Sequence, residues 1–569
     1  MDWTTACVDW ERRLVERQSI IPAPIFVDEA ERALAIFKEL KVVDLPKVWD
    51  EELGGYRPPT FGECSEEWVF DFVRAIFGGY DCETGRQLIR EYGLLISKKN
   101  TKSTIAAGIM MTALILCWRE EEEHLILAPT KEVADNSFKP AAAMVRADEE
   151  LSDLFHIQDH IRTITHRVNR NSLKVVAADT DTVSGKKSGR ILVDELWLFG
   201  KRENAAAMFL EALGGQVSRD EGWVIFLTTQ SDDPPAGVFK QKLNYWRDVR
   251  DGKINDPKTL GILYEFPAAM VADKAYMRPE NFYITNPNLG RSVSSEWLQD
   301  QLKLYEHERD GTFQKFLAKH LNVEIGLNLR SDRWVGVEFW GAAAEPVLSL
   351  DELLERSEVV VTGVDGGGLD DLLGFNALGR ERKTRRWLLW HHAWAHEIVL
   401  ERRKEIATVL RDFEKEGSLT IVKSPGDDVA ELAEIVCRIR DAGLLPSDKA
   451  IGVDPAGIGD IVDELTSEHR GIQPEQIIGI SQGWRLNGAI KTCERKLAGG
   501  EMVHGGTALM NWCIGNARTE DKGNAITITK AASGKAKIDP LMATFNAVSL
   551  MALNPVSMVI GEDYELMAV

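Results

Sequence analysis

The sequence predicts an α/β protein made of two successive sheets, each flanked by helices. Two observations carry this. Short apolar runs LLI (94–96), HLILAP (124–129), LKVVAAD (173–179), ILVDEL (191–196) and WVIFLTTQ (223–230) alternate with helical stretches, which is the pattern of a parallel sheet covered on both faces. A second series begins after a Trp- and Gly-containing stretch, Leu327 to Pro346. It comprises EVVVTGVDGGG (358–368), a hairpin from FNALGR (375–380) to RRWLLWHHAW (385–394), the strand AIGVDPAG (450–457) and the C-terminal helix KIDPLMATFNAVSLMAL (537–553). The length, 569 residues, suits a few domains at roughly 150 residues each. The expected division is 1–330, a linker at 331–346, and 347–569. Residues 1–90 read as mostly helical, DEAERALAIFKEL (28–40) most clearly so.

Composition removes several classes. Hydrophobic residues make up 44% and charged residues 28% of the chain, an ordinary folding composition. The net charge of −21 excludes a globally basic nucleic-acid coat but leaves room for a local basic patch. The seven Cys are odd in number and form no CxxC pair, which argues against a disulfide scaffold or zinc ribbon and for a reducing compartment. The N-terminus, MDWTTACVDWERRLVERQ, lacks the apolar core of a signal peptide. The longest apolar run, Ile105 to Trp118, has 14 residues, short of the roughly 20 that span a bilayer. A soluble protein without membrane contact is expected.

LLISKKNTKSTIAAG (94–108) runs strand, polar loop, Lys-Ser, helix. A phosphate-binding loop needs backbone N–H groups around the phosphates, a Lys for the β- and γ-phosphates and a hydroxyl on Mg²⁺. Lys102 and Ser103 fit the last two roles. The usual pattern places Gly where Ile96 and Thr101 stand, so the segment alone fits a plain strand–loop–helix equally well. SGKKSGR (184–190) also carries Gly-Lys, but it leads into a strand and reads as a loop. The partner segment decides for a nucleotide site. ILVDEL ends a buried strand in Asp194-Glu195; Asp194 is placed to hold Mg²⁺ and Glu195 to activate the attacking water. Thr228 ends a further strand, where a polar residue can sense the γ-phosphate.

The second half places three acids at the ends of buried elements: Asp365 before three glycines, Asp454 after AIGV, and Asp539 before Pro540. Carboxylates from several elements are what two Mg²⁺ or Mn²⁺ ions require to stabilise the attacking and leaving oxygens of a phosphodiester. This is the layout of an RNase H-like nuclease, with Asp371 as a fourth candidate. Structural roles compete: Asp539 reads as a helix N-cap with Pro behind it, and Asp454-Pro455 as a turn. Asp365 is hardest to explain structurally, because an acid at the end of an apolar strand is costly without partners. His391, His392 and His396 resemble a metal cluster, but His391 and His392 point to opposite faces of a strand and no carboxylate sits at HExxH spacing, so metal binding there is the weaker reading. The basic turn GRERKTRR (379–386) reads either as a solvated turn or as a DNA-phosphate contact.

With these residues in hand, the chain from about Phe70 to Leu553 resembles the large terminase subunit of tailed bacteriophages. That family's R-K-N-G-K-S loop is similar to Lys98-Lys99-Asn100-Thr101-Lys102-Ser103, followed here by Thr104. Its acidic strand end matches Asp194-Glu195, and its T-T-A coupling motif matches Thr228-Thr229-Gln230. FGGYDCETGRQLIREYG (77–93), QGWRLNGAIKTCERKLAGGEMVHGG (482–506), NWCIGNA (511–517) and KIDPLMATFNAV (537–548) complete the likeness. The resemblance implies an N-terminal P-loop ATPase domain of the ASCE type and a C-terminal RNase H-like nuclease domain. It implies ATP and Mg²⁺ as cofactors, with Mn²⁺ able to replace Mg²⁺ in the nuclease, and Asp365, Asp454 and Asp539 as metal ligands. The implied activities are driving double-stranded DNA into a procapsid through a portal and cutting concatemeric DNA. The implied partners are portal protein, small terminase subunit and further copies in a ring, in the cytoplasm of a bacterial host. Two other readings compete: an inactive prophage remnant serving as an assembly scaffold, and a helicase-like ATPase without nuclease action. Thr101, Lys98 and Gln230 depart from the family pattern, and Lys98 cannot reproduce an arginine's bidentate fork.

Overall fold

The computed structural model describes residues 3–177, 188–202, 204–306, 312–325, 334–455, 459–523, 525–530 and 537–557. Most of the rival Gly-Lys loop, the first part of the expected linker and Asp179 of the third apolar run lie outside these residues. The chain forms two compact units, Met1–Ile325 and Gly326–Val569.

In the first unit eight strands form one sheet: β1 Glu91–Leu95, β2 Glu123–Ala128, β3 Phe155–Gln158, β4 Thr163–His166, β5 Ser172–Ala177, β6 Ser188–Val193, β7 Trp223–Thr228 and β8 Thr259–Leu263. Their order is β8-β1-β7-β6-β2-β5-β4-β3. The first six of these run parallel, and β4 and β3 extend the edge antiparallel. The strand ending in Thr228, β7, thus lies between β1, which precedes the Lys102 loop, and the acidic strand β6. That insertion is the sheet order of an ASCE-type ATPase. Helix α1, Lys102–Ile115, follows β1 and is buried over most of its surface, as a helix apolar on all sides must be. The first ninety residues are helical at Trp10–Val15, Val27–Glu39, Phe61–Cys64 and Glu67–Phe77, but they also contain two short hairpins.

The second unit is built on β9 Ser357–Gly366, β10 Leu372–Glu381, β11 Trp387–His396, β12 Leu419–Val422, β13 Ile451–Val453, β14 Ile477–Gly479 and β15 Met502–His504. The order is β12-β11-β10-β9-β13-β14, with β15 also paired to β11. An antiparallel β9-β10-β11 meander, joined on the β9 side by parallel β13 and β14, is the RNase H-like arrangement. The expected linker is not a free spacer over its described part. Trp334, Val337, Trp340 and Ala343 are core residues of this unit, so the sequence boundary at 346 falls too late: two tryptophans there have apolar surface to bury, and they bury it inside the second unit.

A last helix, Asp539–Met551, lies against β9 and β10 at backbone contact. A Cβ on Gly363 would come within 2.0 Å of the Ala543 carbonyl oxygen, and one on Gly374 within 2.6 Å of the Pro540 nitrogen. Glycine is required at both places because nothing larger fits. Among the described residues, no helix is long and apolar enough to cross a membrane.

Candidate nucleotide and nuclease sites

The β1–α1 loop closes on the end of β6. The Ser103 hydroxyl donates to Asp194 Oδ2 at 3.0 Å, and the Ser137 hydroxyl donates to the same oxygen at 2.9 Å. The Lys102 ammonium lies 2.9 Å from Glu195 Oε1, while the Trp197 indole donates to Glu195 Oε2 at 2.6 Å. Thr228 joins the same network by accepting from the Trp197 backbone N–H at 3.2 Å. Lys102, Ser103, Asp194, Glu195 and Thr228 therefore come together as expected. The first N–H groups of α1 lack intrahelical partners, as at any helix start, and such a terminus favours an anion.

Electrostatics separate the two acids. Asp194 is fully buried; burial and the neighbouring Glu195 raise its carboxyl to about 6, against Lys102 and the two serines. Burial also works to raise Glu195, but the Lys102 ammonium and the Trp197 bond hold it below the ordinary glutamate range. A serine hydroxyl and a carboxylate sharing one spot are hard oxygen donors, so the residues present fit Mg²⁺.

Three non-glycine residues of this site are left-handed: Lys99 at φ 72°, Thr101 at 56° and Glu195 at 55°. For β-branched Thr this is strained, by about 1–2 kcal/mol. The loop does not avoid positive φ where the family has Gly. It is braced instead. Asn288 Nδ2 donates to Thr101 Oγ1 at 3.1 Å and to the Asn100 carbonyl at 3.2 Å, and its backbone N–H donates to Asn100 Oδ1 at 3.0 Å. Asn100 Nδ2 donates to Asn286 Oδ1 at 2.9 Å and to the Ser97 carbonyl at 3.1 Å. The Asn100 side chain is thus engaged in holding the loop and leaves only its backbone to meet phosphate. Lys98 is half-buried, Lys99 exposed and Thr104 half-buried in the first turn of α1.

Helix Thr312–Leu321 adds Lys319. Its carbonyl accepts from the Lys98 N–H at 2.7 Å, and its ammonium donates to the Gln230 carbonyl at 2.8 Å and lies over the Trp197 ring, 2.9 Å from the centroid. Burial pushes this amine down to about 6, although Asp232 and Glu195 favour its charge. Thr229 and Gln230 are buried, and both polar atoms of the Gln230 amide lack partners among the described residues.

In the second unit the three acids are neighbours by backbone position. Parallel pairing of Val364 with Val453 sets Asp365 beside Asp454, whose N–H donates to the Val364 carbonyl. Asp539 lies against Gly366, where a Cβ would come within 3.1 Å of the Asp539 Cβ. Gly366 at φ 80° turns the chain away from it. Asp365 and Asp539 are buried and Asp454 is half-buried. Among the described residues, no group of three or more His, Cys, Asp or Glu side chains is arranged to hold a metal ion. The donor set itself, three carboxylates at one end of the sheet, is of the type Mg²⁺ and Mn²⁺ accept.

Several expectations change. Asp539 is the first helical residue and not the cap; Ile538 holds that position and makes no side-chain capping bond. The Asp-Pro signal placed the start one residue late. Asp371 is paired, accepting from Lys537 Nζ at 2.7 Å. In the basic turn, Arg380 and Arg385 share Glu358 and Arg386 pairs with Glu381, so three of its five cations are paired, on two carboxylates. His391 and His392 bond Thr507 and Thr420.

Comparison with protein families gives two matches. The family model "Terminase large subunit, ATPase domain" matches residues 67–248. The model "Terminase large subunit, endonuclease domain" matches residues 262–554, more than half of the chain. The chain belongs to the terminase large subunit family. Its second match starts in β8, well before the second compact unit at Gly326. Among solved structures, the HK97 bacteriophage large terminase is similar at 19% identity, over 91% of this chain and 99% of that one, with a TM-score of 0.45. A large terminase from a thermophilic bacteriophage, solved in complex with ADP, is similar at 13% identity, over 81% and 93%, with a TM-score of 0.29. The large terminase nuclease of thermophilic phage G20c is similar at 14% identity, over 38% and 98%, with a TM-score of 0.25. Curated proteins give no match.

Sequence reasoning missed Ser137, Trp197, Asn286, Asn288, Lys319 and Lys537. Asn286-Pro-Asn288 carried a turn signal, but nothing local tied it to a loop more than 180 residues earlier. The only sign of Lys319 was a lysine among apolar neighbours in FQKFLAKHL.

Proposed function

We propose that this protein is an ATP-driven motor that moves double-stranded DNA into a procapsid and cuts concatemeric DNA with the acids of its second unit. The observation that carries the reading is the meeting of Lys102, Ser103, Asp194 and Glu195 at the mouth of a P-loop helix, in a chain that also carries the terminase endonuclease domain.

The α1 N–H groups, with the backbone of Lys99, Asn100 and Thr101, cradle the phosphates. Lys102 transfers its ammonium from Glu195 to the β- and γ-phosphates. Glu195, freed of that partner but still held by Trp197, accepts the proton of the attacking water. Ser103 and Asp194 would hold Mg²⁺, which supplies charge neutralisation between the phosphates. Thr228 connects Glu195's neighbour Trp197 to the end of β7, so a change at the acid reaches the Thr228-Thr229-Gln230 segment. Lys98 adds positive charge beside the phosphates.

In the second unit Asp365, Asp454 and Asp539 would hold the divalent ions of phosphodiester cleavage, Mg²⁺ or Mn²⁺, which activate water and stabilise the leaving oxygen. Portal protein, the small subunit and further copies of the chain in a ring are the partners such a motor needs, and the host cytoplasm is where it works.

The test is one protein and two assays. The full chain should hydrolyse ATP in the presence of DNA and nick plasmid with Mn²⁺. Lys102→Ala should lose only the first activity and Asp365→Ala only the second. Parent rates in both variants would refute the reading, and lack of both activities in the parent would favour an inactive scaffold.

A further inference from the structure

The loop leaving β14 presents an aromatic–guanidinium pair at the acidic end of the nuclease sheet. β13 and β14 run parallel, with Val453 opposite Gly479, and the Ile480 N–H donates to the Val453 carbonyl at 2.8 Å. The chain therefore emerges beside Asp454. The Gln482 amide donates to Asn546 Oδ1 at 3.0 Å, and Asn546 in turn donates to the Val364 carbonyl at 2.9 Å, one residue before Asp365. Gly483 turns left-handed at φ 68°, and the short turn Gly483–Leu486 is pinned by Leu486 in the core. This leaves Trp484 58% exposed, with the Arg485 guanidinium over its ring, 5.3 Å from the centroid. Among the described residues no carboxylate pairs with Arg485, although the chain carries a net charge of −21. A large exposed indole and an arginine with no carboxylate partner among the described residues thus stand together on a loop tied to the strand of Asp365.

We propose that Trp484 and Arg485 are a DNA contact of the nuclease site. The Arg485 guanidinium takes a backbone phosphate of the strand to be cut, and the Trp484 indole packs on the adjoining deoxyribose. The pair sets the strand over the acids; it takes no part in the bond-breaking step. Phosphate and sugar contacts fix register on duplex DNA independently of its sequence. This inference rests on the reading of Asp365, Asp454 and Asp539 as a DNA-cutting site.

The experiment uses the full chain and a labelled DNA duplex in EDTA, with affinity read by fluorescence anisotropy over a range of KCl concentrations. Arg485→Ala should weaken binding and lower the slope of log affinity against log salt by about one. Trp484→Ala should weaken binding by about fivefold at every salt concentration, the equivalent of roughly 40 Å² of apolar surface left in water, and Trp484→Phe should retain most of the affinity. Trp49→Ala, an exposed tryptophan of the first unit, should bind like the parent. With Mn²⁺, both loop variants should need more plasmid to reach half-maximal nicking yet approach the parent rate at saturation. Parent-like affinity and slope in both Trp484→Ala and Arg485→Ala overturn the proposal, and show an exposed pair that serves another partner. The underlying reading fails separately: if Asp365→Ala nicks as the parent does, the acids are not the cutting site, whatever the loop variants bind.

Discussion

Lys102 and Glu195 form an ion pair at 2.9 Å in a site where both have other work to do. In the proposed mechanism the amine that binds phosphate is held by the carboxylate that activates water, so nucleotide entry would break the pair and free the acid. Lys102→Ala should therefore abolish ATP hydrolysis, and Glu195→Gln should keep nucleotide affinity while lowering turnover by at least the roughly 10²-fold attributed to general base catalysis. Steady-state hydrolysis and nucleotide titration check this. Undiminished turnover in Glu195→Gln would remove Glu195 from the reaction.

The braced, left-handed Thr101 gives a second prediction. Asn288→Ala removes the side chain that donates to Thr101 Oγ1 and to the Asn100 carbonyl. The loop should then relax, lowering nucleotide affinity by about 5- to 30-fold, the equivalent of 1–2 kcal/mol of backbone strain. Thr101→Gly in the Asn288→Ala background should restore most of that loss, since glycine keeps positive φ without a brace. Equal affinity of the single and double variants would show that strain is not what Asn288 opposes.

Lys319 carries a pH dependence whose sign is fixed. Its folded pKa of about 6 lies below the ordinary lysine value of 10.5. Between those values the unfolded chain binds more protons, so this residue's contribution to stability rises with pH and is least favourable below 6. Burial causes the shift; Asp232 and Glu195 oppose it, and Lys98 and Lys201 add to it. Lys319→Met should raise the melting temperature at pH 6.5, a gain on the order of 1 kcal/mol, and the gain should shrink by about pH 9.5. Because the Lys319 side chain also holds the Gln230 carbonyl just beyond β7, the same variant should lower ATP turnover more than it changes KM. A melting shift independent of pH would rule out the buried amine as its source.

Asp539 behaves differently from a helix cap. With Ile538 in the cap position, Asp539→Ala should abolish plasmid nicking without the loss of about 1 kcal/mol that removing a cap causes. Asp365→Ala should also abolish nicking. Mn²⁺ at a hundred times its dissociation constant should stabilise the parent by about 2.7 kcal/mol, an increment both variants should reduce. Thermal melting with and without Mn²⁺ reads this directly, and a full Mn²⁺ increment in Asp365→Ala would remove that residue from the ligands.

The strands and the acids at their ends were legible because burial on both faces forces continuous apolar runs, and an acid ending such a run stands out. ILVDEL and VVVTGVD are the clearest instances, and they lead to the two sites. Asn288 and Lys319 were illegible for a physical reason. They reach the P-loop from turns and helices whose own periodicity explains them fully, and only the tertiary fold brings Lys319 to Lys98. Trp334 and Trp340 misplaced the boundary, because a Gly- and Trp-containing stretch resembles a linker until the core that receives it is known. Thr101 shows the opposite limit: its departure from glycine was visible, but its bracing by Asn288 was not.

The contact of the last helix with Gly363 and Gly374 has a consequence for how the second unit can vary. Where main chain rests on main chain, no side chain is available to absorb a change, so the spacing between Asp539 and the strand of Asp365 is a property of the fold and not of rotamers. If the acids cut DNA as proposed, one methyl group at either glycine should displace the helix from the strands and disarm that site, although neither glycine is itself one of the acids.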